Sequence, residues 1–331
     1  MRREELRDLL EGWQVSIYFG AVLLGALVAM IVPGDASLEW AINPALALML
    51  FVTFLQVPLS ALGQAIRDMR FLGALLVANF VAVPLLVAVL VQFAPAQPLV
   101  VLGVLIVLLC PCIDYVVTFS HLGRADARLL LATTPVLLIA QMLLLPAYLR
   151  VFLGSDAAEI VQAGPFLHAF LWLILIPLAL AAACQFWAKR QLTGERITSV
   201  LGLLPVPATA LVLLIVIVAV LPQLNAALPA VLRMLPIYVV FAVVAPLIGW
   251  LVARGFGLNA EAGRAIAFSA GTRNSLVVLP LALAVPGAIP IVPAIIVAQT
   301  LVELLAQPAY IRALPLLGRT PVTREDIAGR P

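Results

Sequence analysis

Charge is scarce in this chain. Only 11% of its 331 residues are Asp, Glu, Lys or Arg, while 64% are hydrophobic. A soluble domain is about a quarter charged and half apolar. The shortage of charge excludes a soluble globular domain, and a mean hydropathy of +1.18 points to an all-α polytopic membrane protein. Cysteine is almost absent too. Cys110, Cys112 and Cys184 all lie in apolar segments, so a disulfide framework is excluded. The two histidines, His121 and His168, fall near the ends of apolar segments, where an interfacial role suits them better than a catalytic one. The sequence has no nucleotide-binding loop, no His/Glu metal motif and no nucleophile paired with a base. It is not expected to be an enzyme or to hold a cofactor, and ATP-driven transport would need a separate subunit. The formal charge of +3 does not imply a nucleic-acid partner, because the arginines are placed as membrane topology would place them.

Apolar runs are what the chain has in abundance. A spanning helix needs about 20 largely apolar residues. That ruler gives ten segments: 14–32, 42–62, 71–93, 98–120, 127–149, 165–187, 200–221, 231–253, 264–285 and 289–313. Residues 1–13 form a charged amphipathic segment with no cleavage signal after it, so the first apolar segment is read as a retained span. Breakers such as Pro33-Gly34-Asp35 and Pro286-Gly287 separate the segments. With a cytoplasmic N-terminus, 16 basic residues fall on the cytoplasmic side and only Arg150 and Arg233 on the other, with Arg273 inside a span. This is the positive-inside pattern. It predicts a multi-pass protein of the cytoplasmic membrane with both termini inside and a cytoplasmic tail at 319–331. Tryptophans 13, 40, 172, 187 and 250 near the segment ends match an interfacial belt.

The two halves of the chain resemble each other. Segment five carries Pro135-x5-Gln141 and then Pro146-Ala147-Tyr148-Leu149-Arg150. Segment ten carries Pro293-x5-Gln299 and then Pro308-Ala309-Tyr310-Ile311-Arg312. The step from Pro135 to Pro293 is nearly the same as the step from Pro146 to Pro308. Five spans per half is an odd number, so the second copy (163–318) is inserted upside down relative to the first (14–154). Inverted repeats mark secondary transporters, whose sites lie at the midplane between broken helices. An offset of about 160 relates Cys110–Asp114 in segment four to Ala270-Gly271-Thr272-Arg273-Asn274 in segment nine. Each stretch is small, polar and charged amid apolar residues. Unwound backbone at membrane depth is tolerated where it lines a cavity or is buried in protein.

These stretches supply the candidate site residues. Pro111 and Gly271 are expected to break the two helices. Asp114, Arg273 and Glu303 are the ionisable groups in mid-span, and such groups are usually paired or functional. Asp114 and Arg273 could form a structural ion pair. Alternatively, Asp114 is a cation or proton site and Arg273 an anion contact. Glu303 is either a neutral acid bonded to a carbonyl or part of the coupling machinery. Thr133 and Thr134 in segment five, and Thr272, Asn274 and Ser275 in segment nine, offer oxygen and amide ligands or simply re-satisfy freed backbone. Among them, Thr134 and Ser275 are assigned to ion coupling, and Thr272 and Asn274 to substrate. Cys110 and Cys184 read as small buried hydrophobes. Cys112 adjoins the break, and a thiolate there suits a soft solute such as trivalent arsenic.

At these two segments the chain resembles the bile acid:sodium symporter superfamily, and within it the arsenite-efflux branch. The resemblance implies ten transmembrane helices in two inverted five-helix repeats, with helices four and nine unwound and crossing. The branch pattern Arg-Cys-Ile-Ala-Met-Val, followed by Leu-x-Lys-Gly-Asp, is similar to Pro111-Cys112-Ile113-Asp114-Tyr115-Val116 followed by Leu122-Gly123-Arg124-Ala125-Asp126. It implies an arsenite-binding cysteine at Cys112, not Cys110. Phe268–Asn274 is similar to the span-nine pattern Phe-Thr-Ala-Ala-Ser-Asn-Asn, and Glu303 matches an acid of the last span. The chain departs from the branch at Arg273, where the pattern has Asn, and at Asp114. The expected function is secondary active transport, as arsenite efflux driven by the proton gradient. The alternatives are sodium-coupled import of an organic anion, with Arg273 on its carboxylate, and a non-transporting receptor or scaffold. The partners expected are a small inorganic or organic solute, a proton or sodium ion, and the bilayer.

Overall fold

A computed structural model describes residues 3–31, 39–56, 68–113, 115–154, 168, 170–221, 224–283, 285, 287, 288 and 290–318. Asp114, the expected break at Pro286, and the tail 319–331 lie outside the described residues. Among the described residues the regular structure is helical, apart from one isolated β-bridge. In order the helices are α1 (Arg3–Ile31), α2 (Glu39–Gln56), α3 (Met69–Phe93), α4 (Pro98–Leu108), α5 (Tyr115–Leu122), α6 (Ala127–Leu153) and α7 (Ile176–Ala188). They continue with α8 (Leu192–Leu201), α9 (Pro205–Val220), α10 (Leu224–Gly255), α11 (Ala260–Gly271), α12 (Ser275–Leu283) and α13 (Ile291–Ala313). A π-helical turn, Phe170–Leu175, leads into α7.

Local chemistry sets several of these boundaries. Asp68, Asp126 and Asn259 cap α3, α6 and α11 by accepting from the backbone N–H three residues on, which satisfies one of the orphan donors at a helix start. Prolines open α4 and α9 at their first positions, where their missing N–H costs nothing. From Arg3 to Ile31 the amphipathic segment and the first apolar segment form one continuous helix, α1.

Among the described residues, five helices are long and apolar enough to cross a membrane alone: Glu5–Ile31, Met69–Phe93, Ala127–Leu153, Ala227–Gly255 and Ile291–Leu316. The pair α8 and α9, bent by 42° at the turn between them, makes a sixth if counted as one span. The sequence reading expects ten, and each remaining segment is divided or cut short. Segment 98–120 is interrupted between α4 and α5, and 264–285 between α11 and α12. Segment 42–62 is described only to Gln56, and 165–187 only at His168 and from Phe170 onward.

The helices pack in two groups. One joins α1, α2, α7, α8 and α9. The other joins α3, α4, α5, α6, α10, α11 and α13. Helix α12 touches both, against α2 on one side and α4 and α13 on the other. Small residues let backbones approach closely in such bundles. At Gly249 of α10 an added Cβ would lie 2.8 Å from Ile266 O and 2.7 Å from Ala270 Cβ of α11.

Two prolines inside helices are met alike. Pro84 and Pro246 have no N–H to give the carbonyl four residues back, which is Phe80 in α3 and Ala242 in α10. The Tyr148 hydroxyl donates to Phe80 O, and the Tyr310 hydroxyl donates to Ala242 O. The step along the chain from Tyr148 to Tyr310 equals the step from Phe80 to Ala242, so donor and acceptor recur together.

Candidate functional site at the helix crossing

The interruption of the α4–α5 segment meets the interruption of the α11–α12 segment. Helix α4 ends at Leu108 and α11 at Gly271, and the backbone beyond each is extended where the two touch. Cys112 N donates to Thr272 O at 3.0 Å and Asn274 N to Cys110 O at 2.8 Å, so Pro111 and Arg273 face each other in an antiparallel bridge. These two bonds pair backbone groups that would otherwise go unmet at membrane depth. The step that carries Tyr148 to Tyr310 also carries Cys112 to Asn274 and Cys110 to Thr272, so it exchanges one bond for the other.

Pro111 therefore lies inside its break. Gly271 is instead the last helical residue before its own, where an added Cβ would meet Pro246 Cγ at 2.6 Å. The glycine allows α11 to approach α10. Cys110 and Cys112 are both fully buried.

Arg273, also fully buried, is the largest such side chain among the described residues. Its Nη2 donates to Ser269 O at 2.6 Å, Ala270 O at 2.7 Å and Asn79 Oδ1 at 2.9 Å, and its Nη1 to Leu108 O at 3.3 Å. Its Cζ lies 5.5 Å from the centre of the Phe241 ring, within range of a cation–π attraction. Asn79 sits in a π-helical turn of α3, Ala78–Ala82, and such bulges often mark functional positions.

The other groups at the crossing hold backbone or one another. Glu303 accepts from the Arg273 backbone N–H (2.8 Å), the Tyr115 hydroxyl (2.7 Å) and Gln299 Nε2 (2.7 Å). It thus clamps the break from α13. The Thr272 hydroxyl donates to Phe268 O and receives Gln307 Nε2. The Thr134 and Thr133 hydroxyls are returned to carbonyls of their own helix, Leu131 for the first and Leu129 and Leu130 for the second. Asn274 Nδ2, Ser275 Oγ, Gln299 Oε1 and Gln307 Oε1 are buried with no hydrogen-bond partner among the described residues. They leave polar capacity beside the bridge. Cys184 is half-buried in α7, and His121 and His168 are exposed.

A polar crevice approaches this centre from between the two helix groups. It is lined by Glu11, Gln14 and Tyr18 of α1, Thr53 and Gln56 of α2, Tyr115 and Thr118 of α5, and Thr209 of α9, and holds about 30 Å³. That is room for about one water molecule. Gln56 also lines a larger, open cavity of about 410 Å³ with Arg7, Glu195, Thr198 and Ser199. Tyr115 joins the crevice to the buried centre, because its hydroxyl contacts both Glu303 and Arg273 O. The sequence reading does not single out these crevice residues or Asn79. Apart from Glu11 in the charged N-terminal segment and Tyr115 in the quoted pattern, each is an isolated polar group in or beside a long apolar segment, and the signal available was its rarity there.

Among curated proteins, none matches the chain significantly. The profile of the sodium bile acid symporter family matches residues 43–229, more than half of the sequence. That region contains α4, α5 and the first strand of the bridge. The family is one of solute transporters, which agrees with a multi-pass, all-helical chain built around crossed, interrupted helices. This chain belongs to the sodium bile acid symporter family.

Proposed function

We propose that the chain is a secondary active transporter of the cytoplasmic membrane that moves a small solute past the α4–α5/α11–α12 crossing. The observation that carries this reading is the bridge itself. A purely structural bundle has no use for two opened helices and a crevice leading to them. Ten spans in two inverted five-helix repeats fit the same observation. Three sets of partners recur at one common offset along the chain: the bridge bonds, the prolines at 84 and 246, and the tyrosines that cap their freed carbonyls. With both termini cytoplasmic, as the arginine bias favours, the cavity beside Arg7 and Glu195 opens inward.

For the solute, the reading is trivalent arsenic met by Cys112 and expelled in exchange for protons at Glu303 or Asp114. It is supported by Cys112 lying in the bridge and by Arg273 having its terminal nitrogens engaged by oxygens. Nη2 in particular already meets three oxygens, which leaves it no N–H for a substrate carboxylate. Each charge moved is worth about 2.3 kcal/mol per 100 mV, or about 50-fold accumulation.

The decisive measurement is arsenite uptake into everted vesicles. Uptake is expected to need a pH gradient and to vanish in Cys112→Ser, whereas full activity in that variant would sink the thiol role. Membership of the sodium bile acid symporter family favours a second reading, sodium-coupled import of an organic anion. That reading requires sodium-dependent uptake into right-side-out vesicles.

A further inference from the structure

Oxygens meet both terminal nitrogens of Arg273, three of them at Nη2, while its Nε is buried with no hydrogen-bond partner among the described residues; none of the acceptors described is charged. Three of the four acceptors are backbone carbonyls. Leu108 is the last residue of α4, and Ser269 and Ala270 lie in the last turn of α11. The negative ends of two half-helix dipoles therefore converge on one buried point. Asn79 completes the set from α3. Its amide nitrogen donates to Leu75 O and Ser269 Oγ, which fixes its Oδ1 toward the guanidinium. Unwound carbonyls and the C-terminal ends of half-helices are the groups with which discontinuous-helix transporters coordinate Na+. Neutral carbonyl oxygens are likewise what replaces an alkali ion's hydration shell in a filter.

We infer that Arg273 is a tethered cation, filling with its own side chain a cage whose donor set fits a hard monovalent ion, so that this crossing takes up no Na+. The guanidinium carries the same single charge as Na+ and meets the same oxygens, but it cannot leave with the cargo. Coupling at this point of the cycle is therefore independent of sodium, in a family named for sodium symport. The inference rests on the transporter reading of the crossing but not on which solute is carried. Its test uses no solute.

The test is 22Na+ binding to purified protein, with thermal melting in NaCl, KCl and choline chloride at equal ionic strength. Wild-type protein is expected to bind no 22Na+ at this cage. Arg273→Ala is expected to gain Na+-selective binding and a melting rise of several degrees in NaCl over KCl, with guanidinium at millimolar concentration stabilising it as well. A folded Arg273→Ala protein that responds to Na+ and guanidinium no more than wild type overturns the inference. So does wild-type 22Na+ binding that disappears in Asn79→Ala, because the ion would then share the cage with the arginine. If Arg273→Ala fails to fold, Arg273→Lys and Arg273→Gln decide. Recovery of folded protein with Lys but not Gln shows that the cage needs a positive charge, and equal recovery with both overturns the proposal.

Discussion

At the residue scale, the repeated Pro-Ala-Tyr has a physical explanation. Pro84 and Pro246 each free a carbonyl in the middle of a helix, and Tyr148 and Tyr310 each bring a hydroxyl to it. Removing a hydroxyl leaves a buried acceptor unmet, a cost of about 1–3 kcal/mol. Tyr310→Phe is therefore expected to lower the melting temperature of the purified protein. In combination with Pro246→Ala the loss should shrink, because alanine restores the N–H that the carbonyl lacked. A double-mutant cycle reads this as coupling, and strictly additive losses would contradict it. Tyr115 tests the approach to the centre in the same way. Tyr115→Phe keeps the ring packed against Phe119 but removes one donor from Glu303. It is expected to leave folding intact and slow exchange of a proton or ion from the crevice, measured as reduced flux at unchanged protein level. The crevice residues show why this scale was the least readable from sequence. A Thr or Gln amid apolar residues looks the same whether it faces a cavity or its own helix, and Thr134 and Thr53 fall on opposite sides of that distinction.

At the element scale, two things were readable and one was not. The interruptions were visible in advance because a proline (Pro111) or a glycine (Gly271) occurs beside an ionisable residue in runs that otherwise need to be apolar. That the interrupted stretches meet was suggested by the repeat and by the family resemblance, since a two-bond bridge has no periodicity of its own. The register was also slightly off: an offset of about 160 pairs Asp114 with Asn274, whereas the bridge aligns Pro111 with Arg273, a slightly longer step. Close helix packing was not readable at all, because a glycine in a contact looks like any other. The structure distinguishes them. Gly249 meets the backbone of α11, while Gly255, at the end of the same helix, has nothing within 4 Å of an added Cβ. Gly249→Ala is expected to force α10 and α11 apart at a cost of about 1–3 kcal/mol, seen as reduced yield of folded protein and lower melting. Gly255→Ala should cost nothing measurable, and equal losses in the two variants would contradict the close approach.

At the scale of the whole molecule, the arginine bias predicts an orientation that can be checked directly. Lys189 and Arg150 are both exposed and are assigned to opposite sides. In a Cys184→Ser background, Arg150→Cys is expected to react with a membrane-impermeant maleimide in intact cells. Lys189→Cys should react only after permeabilisation. Labelling of both from one side would overturn the inverted arrangement. Composition alone sufficed for the membrane class, because no soluble core needs so little charge. The number of spans is less legible, since length and composition find five or six among the described residues where the sequence reading expects ten.

The proline in the bridge has a mechanical consequence. Both bonds flank the Pro111–Arg273 pair rather than joining it, so Pro111 sits at the one kind of position in an antiparallel ladder where a missing N–H is not felt. Sliding either stretch by one residue would turn that nitrogen toward its partner and forfeit one of only two bonds. Translation along the bridge is thereby resisted, and the Arg273–Leu108 and Tyr115–Arg273 bonds hold the same two stretches from the side. The crossing is a latch with a single notch, which fixes where the two breaks meet to one pair of residues.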